Sequence, residues 1–269
     1  MKFWHATDLH LDHLRDEIVD AFRDNVRDLV GNQPLLITGD ITSRYKLKPH
    51  LSMLGEFNSY IVLGNHDFWG GSWNECRKIA HDVLQEKFLD ESGPTMISDD
   101  VAIVGDSCWY DCRLGRPLES GVFMNDWNFI SDYAGIAGMY GYVNTSRDGI
   151  VGMSARQAHD RNRILLAKME QAALVCDKLI VLTHFPPWRE TALYQDKPSH
   201  SDYLPFYTNA SLGWDIVEFA KKHANIKIEV LCGHTHNEAD VVIQENLRCH
   251  VGHAKYGQPE IREVNLFDF

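Results

Sequence analysis

The chain has no Cys-x-x-Cys pair, no low-complexity tract and no apolar run long enough to cross a bilayer. Each absence removes a class of protein. The six cysteines (Cys76, Cys108, Cys112, Cys176, Cys232 and Cys249) are scattered over 269 residues. They read as reduced, mostly buried thiols rather than a disulfide framework or a thiolate zinc site. Basic residues are also scarce: 26 Lys and Arg against 38 Asp and Glu leave a formal charge of −12. That balance argues against a broad nucleic-acid partner, which needs basic surface. A small anionic substrate stays open, because bound metal ions can reverse the local field. The opening residues, MKFWHATDLH, enter a strand-like pattern with no extended apolar stretch, so a secretory signal is not expected. The expected location is cytoplasmic, without a membrane partner.

What remains is an ordinary globular composition, 44% hydrophobic and 24% charged, long enough for one large domain or two small ones. Strand-like and helix-like stretches alternate. KFWHAT precedes a helical pattern carried by Leu14, Ile18, Phe22, Val26 and Val30. LLIT, a short helix near 49–57 and YIVL follow, then a helix marked by Trp73, Cys76, Ala80 and Leu84. TMIS and VAIVG, a long helix over 154–177, KLIVLT, a helix near 211–223, IKIEVLC and a β-rich tail complete the chain. Continuous apolar strands alternating with helices indicate sheets buried on both faces. The tail makes a mixed arrangement the expectation. Two segments break the rhythm: residues 106–150, rich in glycine and aromatics including Trp109, Tyr110, Trp127, Tyr133, Tyr140 and Tyr142, and residues 185–210, which hold four of nine prolines. No linker or repeat is visible, and a single domain over 1–269 is expected.

Five of the strands end in polar residues. FWHAT ends in Asp8-Leu9-His10, LLIT in Gly39-Asp40 and YIVL in Gly64-Asn65-His66-Asp67. LIVLT ends in His184-Phe185-Pro186-Pro187 and IEVLC in Gly233-His234-Thr235-His236. In α/β sheets functional groups gather beyond the carboxyl ends of the strands. Carboxylate, amide oxygen and imidazole together suit divalent ions such as manganese, iron or zinc, and nickel or magnesium also merit trial. Asp8, His10, Asp40, Asn65, His184, His234 and His236 are too many donors for one four-coordinate ion, so two ions are expected.

Taken in order, D-x-H, G-D, G-N-H-D, a lone His after a strand and G-H-x-H resemble the calcineurin-like metallophosphoesterase superfamily, over nearly the whole chain. The resemblance implies an α/β fold, a four-layer α/β/β/α sandwich with two mixed sheets and the site at the strand ends. It implies that Asp8, His10 and His236 bind a first metal, that Asn65, His184 and His234 bind a second, and that Asp40 bridges them. His66 would face the substrate, polarising a phosphoryl oxygen or protonating the departing alkoxide, and Asp67 would hold the His66 ring in orientation. The glycines at 39, 64 and 233 would let the backbone turn beneath the metals. Many relatives read G-D-x-x-D where this chain has Gly39-Asp40-Ile41-Thr42-Ser43, and CHVGHAKYG lacks a common Asn-Pro-Gly turn.

The implied activity is dinuclear metal-dependent hydrolysis of phosphate esters, with a bridging hydroxide attacking phosphorus. A small-molecule phosphodiesterase is the leading reading. A phosphomonoesterase or protein serine/threonine phosphatase is the alternative, with a nuclease or non-catalytic scaffold ranked below them. The aromatic insertion at 106–150 would lie near the active-site mouth, either as a self-packed unit or with Trp109 and Tyr110 stacking on substrate. Arg113, Arg116 and Arg147 are candidates for gripping phosphate. Arg156, Arg161 and Arg163 are expected as surface pairs. Of the other histidines, His250 and His253 lie nearest the returning sheet.

Overall fold

The computed structural model describes residues 2–134 and 147–268, so Tyr140 and Tyr142 of the aromatic segment lie outside the described residues. Among the described residues, twelve strands form two large sheets and one small hairpin. The first sheet runs β12 (Arg262–Val264), β1 (Phe3–Ala6), β2 (Leu35–Thr38), β3 (Ser59–Val62). The second runs β10 (Ala239–Gln244), β11 (Leu247–Val251), β9 (Lys227–Cys232), β6 (Lys178–Leu182), β5 (Val101–Gly105), β4 (Thr95–Met96). β7 (Leu193–Tyr194) and β8 (Lys197–Pro198) pair separately. Both large sheets are mixed: their centres are parallel, while β12, β10 and β4 join antiparallel at the edges.

Alternation along the central strands explains their unbroken apolar runs. In β2, Leu36 faces the second sheet while Leu35 and Ile37 join the outer core with Phe22, Val26 and Leu51. In β6, Ile180 and Leu182 fill the space between the sheets, and Leu179 and Val181 pack outward against Leu165 and Ile216. The outer layers are α1 (Asp16–Val30), α2 (Arg44–Leu54) and α3 (Trp73–Leu84) on one side. After the short α4 (Asp126–Phe129), α5 (Arg147–Ala172) covers the other, with α7 (Ala210–Lys222) following the one-turn α6 (Leu204–Tyr207). The result is the expected α/β/β/α sandwich, and β1, β2, β3, β6 and β9 end at one rim. All six cysteines are free and buried.

The described part of the aromatic segment is interior. Trp109 and Tyr110 are fully buried, so they cannot stack on a substrate, which overturns that expectation. Trp109 Nε1 donates to Tyr133 Oη at 2.9 Å, Trp127 Nε1 to Tyr110 Oη at 2.9 Å, and Tyr133 and Ser154 hydroxyls lie 2.7 Å apart. The rings bury one another in the core that also contains Phe68 and Trp73.

Arg161 corrects a second expectation. It is 9% exposed, and its guanidinium meets Asp106 through Nε at 3.0 Å and Nη2 at 2.5 Å, and donates to the Asp90 carbonyl at 3.0 Å. Arg161→Met would leave Asp106 buried without its partner, so stability is expected to fall by about 3–5 kcal/mol. An unfolding free energy from denaturant titration that falls by less than about 1 kcal/mol would refute this role.

Candidate metal centre

The five polar strand endings meet because parallel strands point the same way and the two sheets face each other. Past β1 and β2 the chains stay paired: Asp8 N donates to Gly39 O, His10 N to Asp40 O and Leu11 N to Ile41 O. Pairing at those positions is made with left-handed backbone. Asp8, His10, Asp40, His234 and His236 have φ of 50°, 44°, 52°, 70° and 58°. Each non-glycine residue held there costs on the order of 1–3 kcal/mol, and such strain collects at functional sites. Gly64 and Gly233 serve by close approach: a Cβ on Gly64 would collide with Asp40, and one on Gly233 with Thr7 and Asp8.

All seven expected donors come together. Asp8, His10 and His236 form one group, and Asp40, His184 and His234 another, with the donor atoms of each within 4.8 Å of one another. His10 Nε2 lies 3.2 Å from His236 Nε2, and His236 Nε2 lies 3.3 Å from Asp8 Oδ1. Asp40 reaches both ways, with Oδ1 3.4 Å from His184 Nε2 and Oδ2 4.0 Å from His10 Nε2. Asn65 Oδ1 lies 3.0 Å from both His184 Nε2 and His234 Nδ1.

The hydrogen-bond pattern fits a cation. His184 Nδ1 is 2.7 Å from the Thr38 carbonyl, which can only accept, so Nδ1 carries the proton and Nε2 presents a lone pair. That lone pair faces Asn65 Oδ1, whose amide Nδ2 donates to Asp126 Oδ1 at 2.8 Å. Two acceptors 3.0 Å apart repel unless a positive ion joins them. Among the described residues, the ion-pair partners of Asp8 and Asp40 within 4.0 Å are all histidines. Burial, then Asp8 and Asp67, push the Asp40 carboxyl well above its usual range. Burial also opposes charge on Asp8, yet its bond with His236 holds that carboxyl far below. Burial lowers His184 and His234 and takes His10 down to about 4, leaving neutral imidazoles, the form that ligates. A divalent pair fits this donor set.

His66 stands beside the donors. Its ring stacks on Trp69 at 3.5 Å between centroids, and Nε2 lies 3.9 Å from Asp40 Oδ2. Burial first, and then His10, push its pKa strongly down. The expected contact from Asp67 to this ring is replaced by another. Asp67 Oδ1 accepts from the amides of Ile41 at 3.0 Å and Thr42 at 2.9 Å, and Oδ2 from Gly64 at 2.8 Å. A buried carboxyl group with three amide donors at hand braces the Asp40 loop.

A cavity of about 590 Å³ opens above the donors, with Asp40, Asn65, His66, His234 and His236 among its floor residues. Trp69, Phe123, Tyr194, Tyr203, Tyr207 and Tyr256 supply rings to its walls. Tyr256, from the segment lacking the Asn-Pro-Gly turn, stacks on His10 at 4.4 Å, and Tyr207 meets His234 edge-on at 5.1 Å. Among the described residues no Lys or Arg lines it. The three arginines proposed for phosphate lie elsewhere. Arg147 donates to the carbonyls of Ser120 and Val122 and covers Trp127, Arg116 pairs with Glu119, and Arg113 lies over Trp214. His250 pairs with Glu229 and His253 with Glu260, both outside the cavity. Sequence reading missed Trp69, Asp126, Tyr207 and Tyr256. Only Trp69, two residues after the G-N-H-D motif, carried a positional signal.

No curated protein matches the chain closely enough to count as a relative. Solved structures that resemble it include a dimetal phosphatase from Danio rerio, 13% identical, with 93% of this chain and 86% of that chain covered at a TM-score of 0.53. A 5'-nucleotidase from Candida albicans is 13% identical, with 94% and 45% covered at a TM-score of 0.48. At such identity the first is a likeness of fold alone, and the second carries no weight. The profile of calcineurin-like phosphoesterases matches residues 1–238, a span that contains every one of the strand-end motifs, and the chain therefore belongs to that family.

Proposed function

We propose that this metal-dependent phosphoesterase acts on small phosphodiesters, at a centre held by Asp8, His10, Asp40, Asn65, His184, His234 and His236. Membership of the family makes the chain a hydrolase of phosphate esters with a dinuclear divalent centre. When bound, two such ions supply charge neutralisation for phosphoryl oxygens and activate water near neutral pH. Asp8, His10 and His236 hold one side of the centre, Asn65, His184 and His234 the other, and Asp40 serves both. His66, kept in place by the Trp69 ring, donates its N–H to a phosphoryl or leaving-group oxygen. Manganese, iron and zinc suit the mixed oxygen and nitrogen donors.

The observation that carries the diester preference is the ring-lined 590 Å³ cavity without a Lys or Arg among the described residues. A monoester brings a charge of about −1.5 to −2 near neutral pH, and sites built for it usually add guanidinium or ammonium groups. A diester brings a single negative charge and a second organic arm, which apolar and aromatic walls accommodate. The chain is read as one domain over 1–269, with Phe123 and Asp126 from the described part of the 106–150 segment lining the cleft. Six free thiols support a reducing, cytoplasmic setting.

The test is a hydrolysis panel on metal-stripped protein refilled with manganese, nickel, zinc or magnesium. A chromogenic diester is expected to exceed the matching monoester by at least about tenfold in kcat/KM, a difference of about 1.4 kcal/mol. Cyclic nucleotides, dinucleotides and phosphopeptides then sort the substrate class. A monoester or phosphopeptide preferred over every diester would overturn the reading.

A further inference from the structure

We infer that Asp126 is a positioning residue for the metal centre: it fixes which face of the Asn65 amide is offered to the metal. The inference rests on the reading of Asn65 as a metal-facing oxygen. Asn65 has two nearly isosteric ends, one acceptor and one donor, and a half-turn about its last bond exchanges them. The two imidazole nitrogens at 3.0 Å do not by themselves favour the oxygen end. Indeed, with no ion between them, the lone pair of His184 Nε2 would prefer the NH₂ end, which would present a donor where a ligand is needed. Asp126 opposes that flip. Its Oδ1 accepts from Asn65 Nδ2 at 2.8 Å, and a carboxylate cannot accept from the amide oxygen.

The same Oδ1 accepts from Trp69 Nε1, also at 2.8 Å, and Trp69 is the ring on which His66 stacks. One oxygen atom from α4 therefore orients both halves of the Asn65-His66 pair. Asp126 is fully buried, and its other oxygen, Oδ2, has no hydrogen-bond partner among the described residues. Positioning therefore needs an acceptor oxygen at Oδ1, and the second oxygen is dispensable for it. That separates the role from a requirement for negative charge: Asp126→Asn keeps an acceptor that can take both bonds, whereas Asp126→Leu keeps the branched shape and removes that acceptor.

The experiment titrates metal-stripped full-length protein with Mn²⁺ by calorimetry and counts bound ions by elemental analysis. Asp126→Leu is expected to weaken the second Mn²⁺ by roughly 10–100-fold, the size usual for losing a partner of a metal ligand. Asp126→Asn is expected to stay within about threefold of the parent, because RT ln 3 is below the worth of a single hydrogen bond. Asn65→Ala should lose the same ion, and Asn65→Ala with Asp126→Leu should be no worse than Asn65→Ala alone. Trp69→Phe, which removes the other donor, should keep both ions while lowering kcat. Should Asp126→Leu fail to fold, Asp126→Ser and Asp126→Asn carry the comparison, with circular dichroism as the control. If Asn65→Ala still binds two ions tightly, the ligand reading fails. If Asn65→Ala loses one and Asp126→Leu does not, or Asp126→Asn behaves like Asp126→Leu, the positioning role alone is wrong.

Discussion

Asp40→Asn is expected to leave a folded protein that binds one ion in place of two and has lost its hydrolysis. The carboxylate stands between the two donor groups, with one oxygen toward His184 and the other toward His10. Asparagine keeps one acceptor oxygen, turns the other into a donor that cannot ligate, and removes a negative charge. Losing several kcal/mol of transition-state charge stabilisation corresponds to a fall of at least about 10³-fold in kcat. The fold should survive, because the His66 amide donates to Asp40 Oδ1 at 2.8 Å and an amide oxygen accepts that bond equally well. Indeed, burial and the charges of Asp8 and Asp67 raise the Asp40 pKa, so at neutral pH ionising it costs stability when no cation is present. Stripped of metal, Asp40→Asn is therefore expected to melt at the same temperature as the stripped parent or higher. Two tightly bound ions together with parental kcat would refute the assignment.

His66→Asn is expected to do the reverse, keeping both ions and losing turnover by about 10²–10⁴-fold, the range for a positioned proton donor or acceptor. The ring is in stacking contact with Trp69 and its Nε2 is 3.9 Å from Asp40; it clusters with His10 and His13 and lies outside the Asp8-His10-His236 and Asp40-His184-His234 groups. The size of the loss should depend on the leaving group. An aryl ester, whose departing oxygen needs little protonation, should lose less than an alkyl ester of the same phosphate. Equal losses on both would assign His66 to binding of a phosphoryl oxygen and remove it from the leaving group. Loss of a metal ion in this variant would refute the substrate-facing role altogether.

Much of this centre was legible because its residues sit at fixed offsets from apolar strands. A strand buried on both faces must be apolar throughout, so Gly64-Asn65-His66-Asp67 after YIVL or Gly233-His234 after IEVLC marks the point where burial stops. The five endings could be compared along the chain with no knowledge of distance. Asp67 was misjudged for a related reason. It adjoins His66 in sequence, but a tight turn sends neighbouring side chains in different directions, and its carboxylate found three amides instead. Ring count along 106–150 likewise did not say which rings face the cleft: Trp109 and Tyr110 went into the core, while Phe123 from the same segment reached the cavity.

By itself, then, the sequence set the alternation of buried strands with helices and the five polar strand endings, because strand periodicity and strand ends are local properties of the chain; the sandwich and the roles proposed for Asn65 and His66 came from the family resemblance those endings carry. The tertiary structure alone decided what surrounds that set. Asp126 lies 61 residues from Asn65, and no pattern along the chain connects them. Tyr256 comes to rest on His10 only because the segment after β11 crosses the rim. Arg161, which reads as a surface residue on its helix, is buried because Asp106 and Asp90 arrive from another layer. Contacts of this kind are set by how layers pack, and a packed layer brings together residues whose separation along the chain carries no signal.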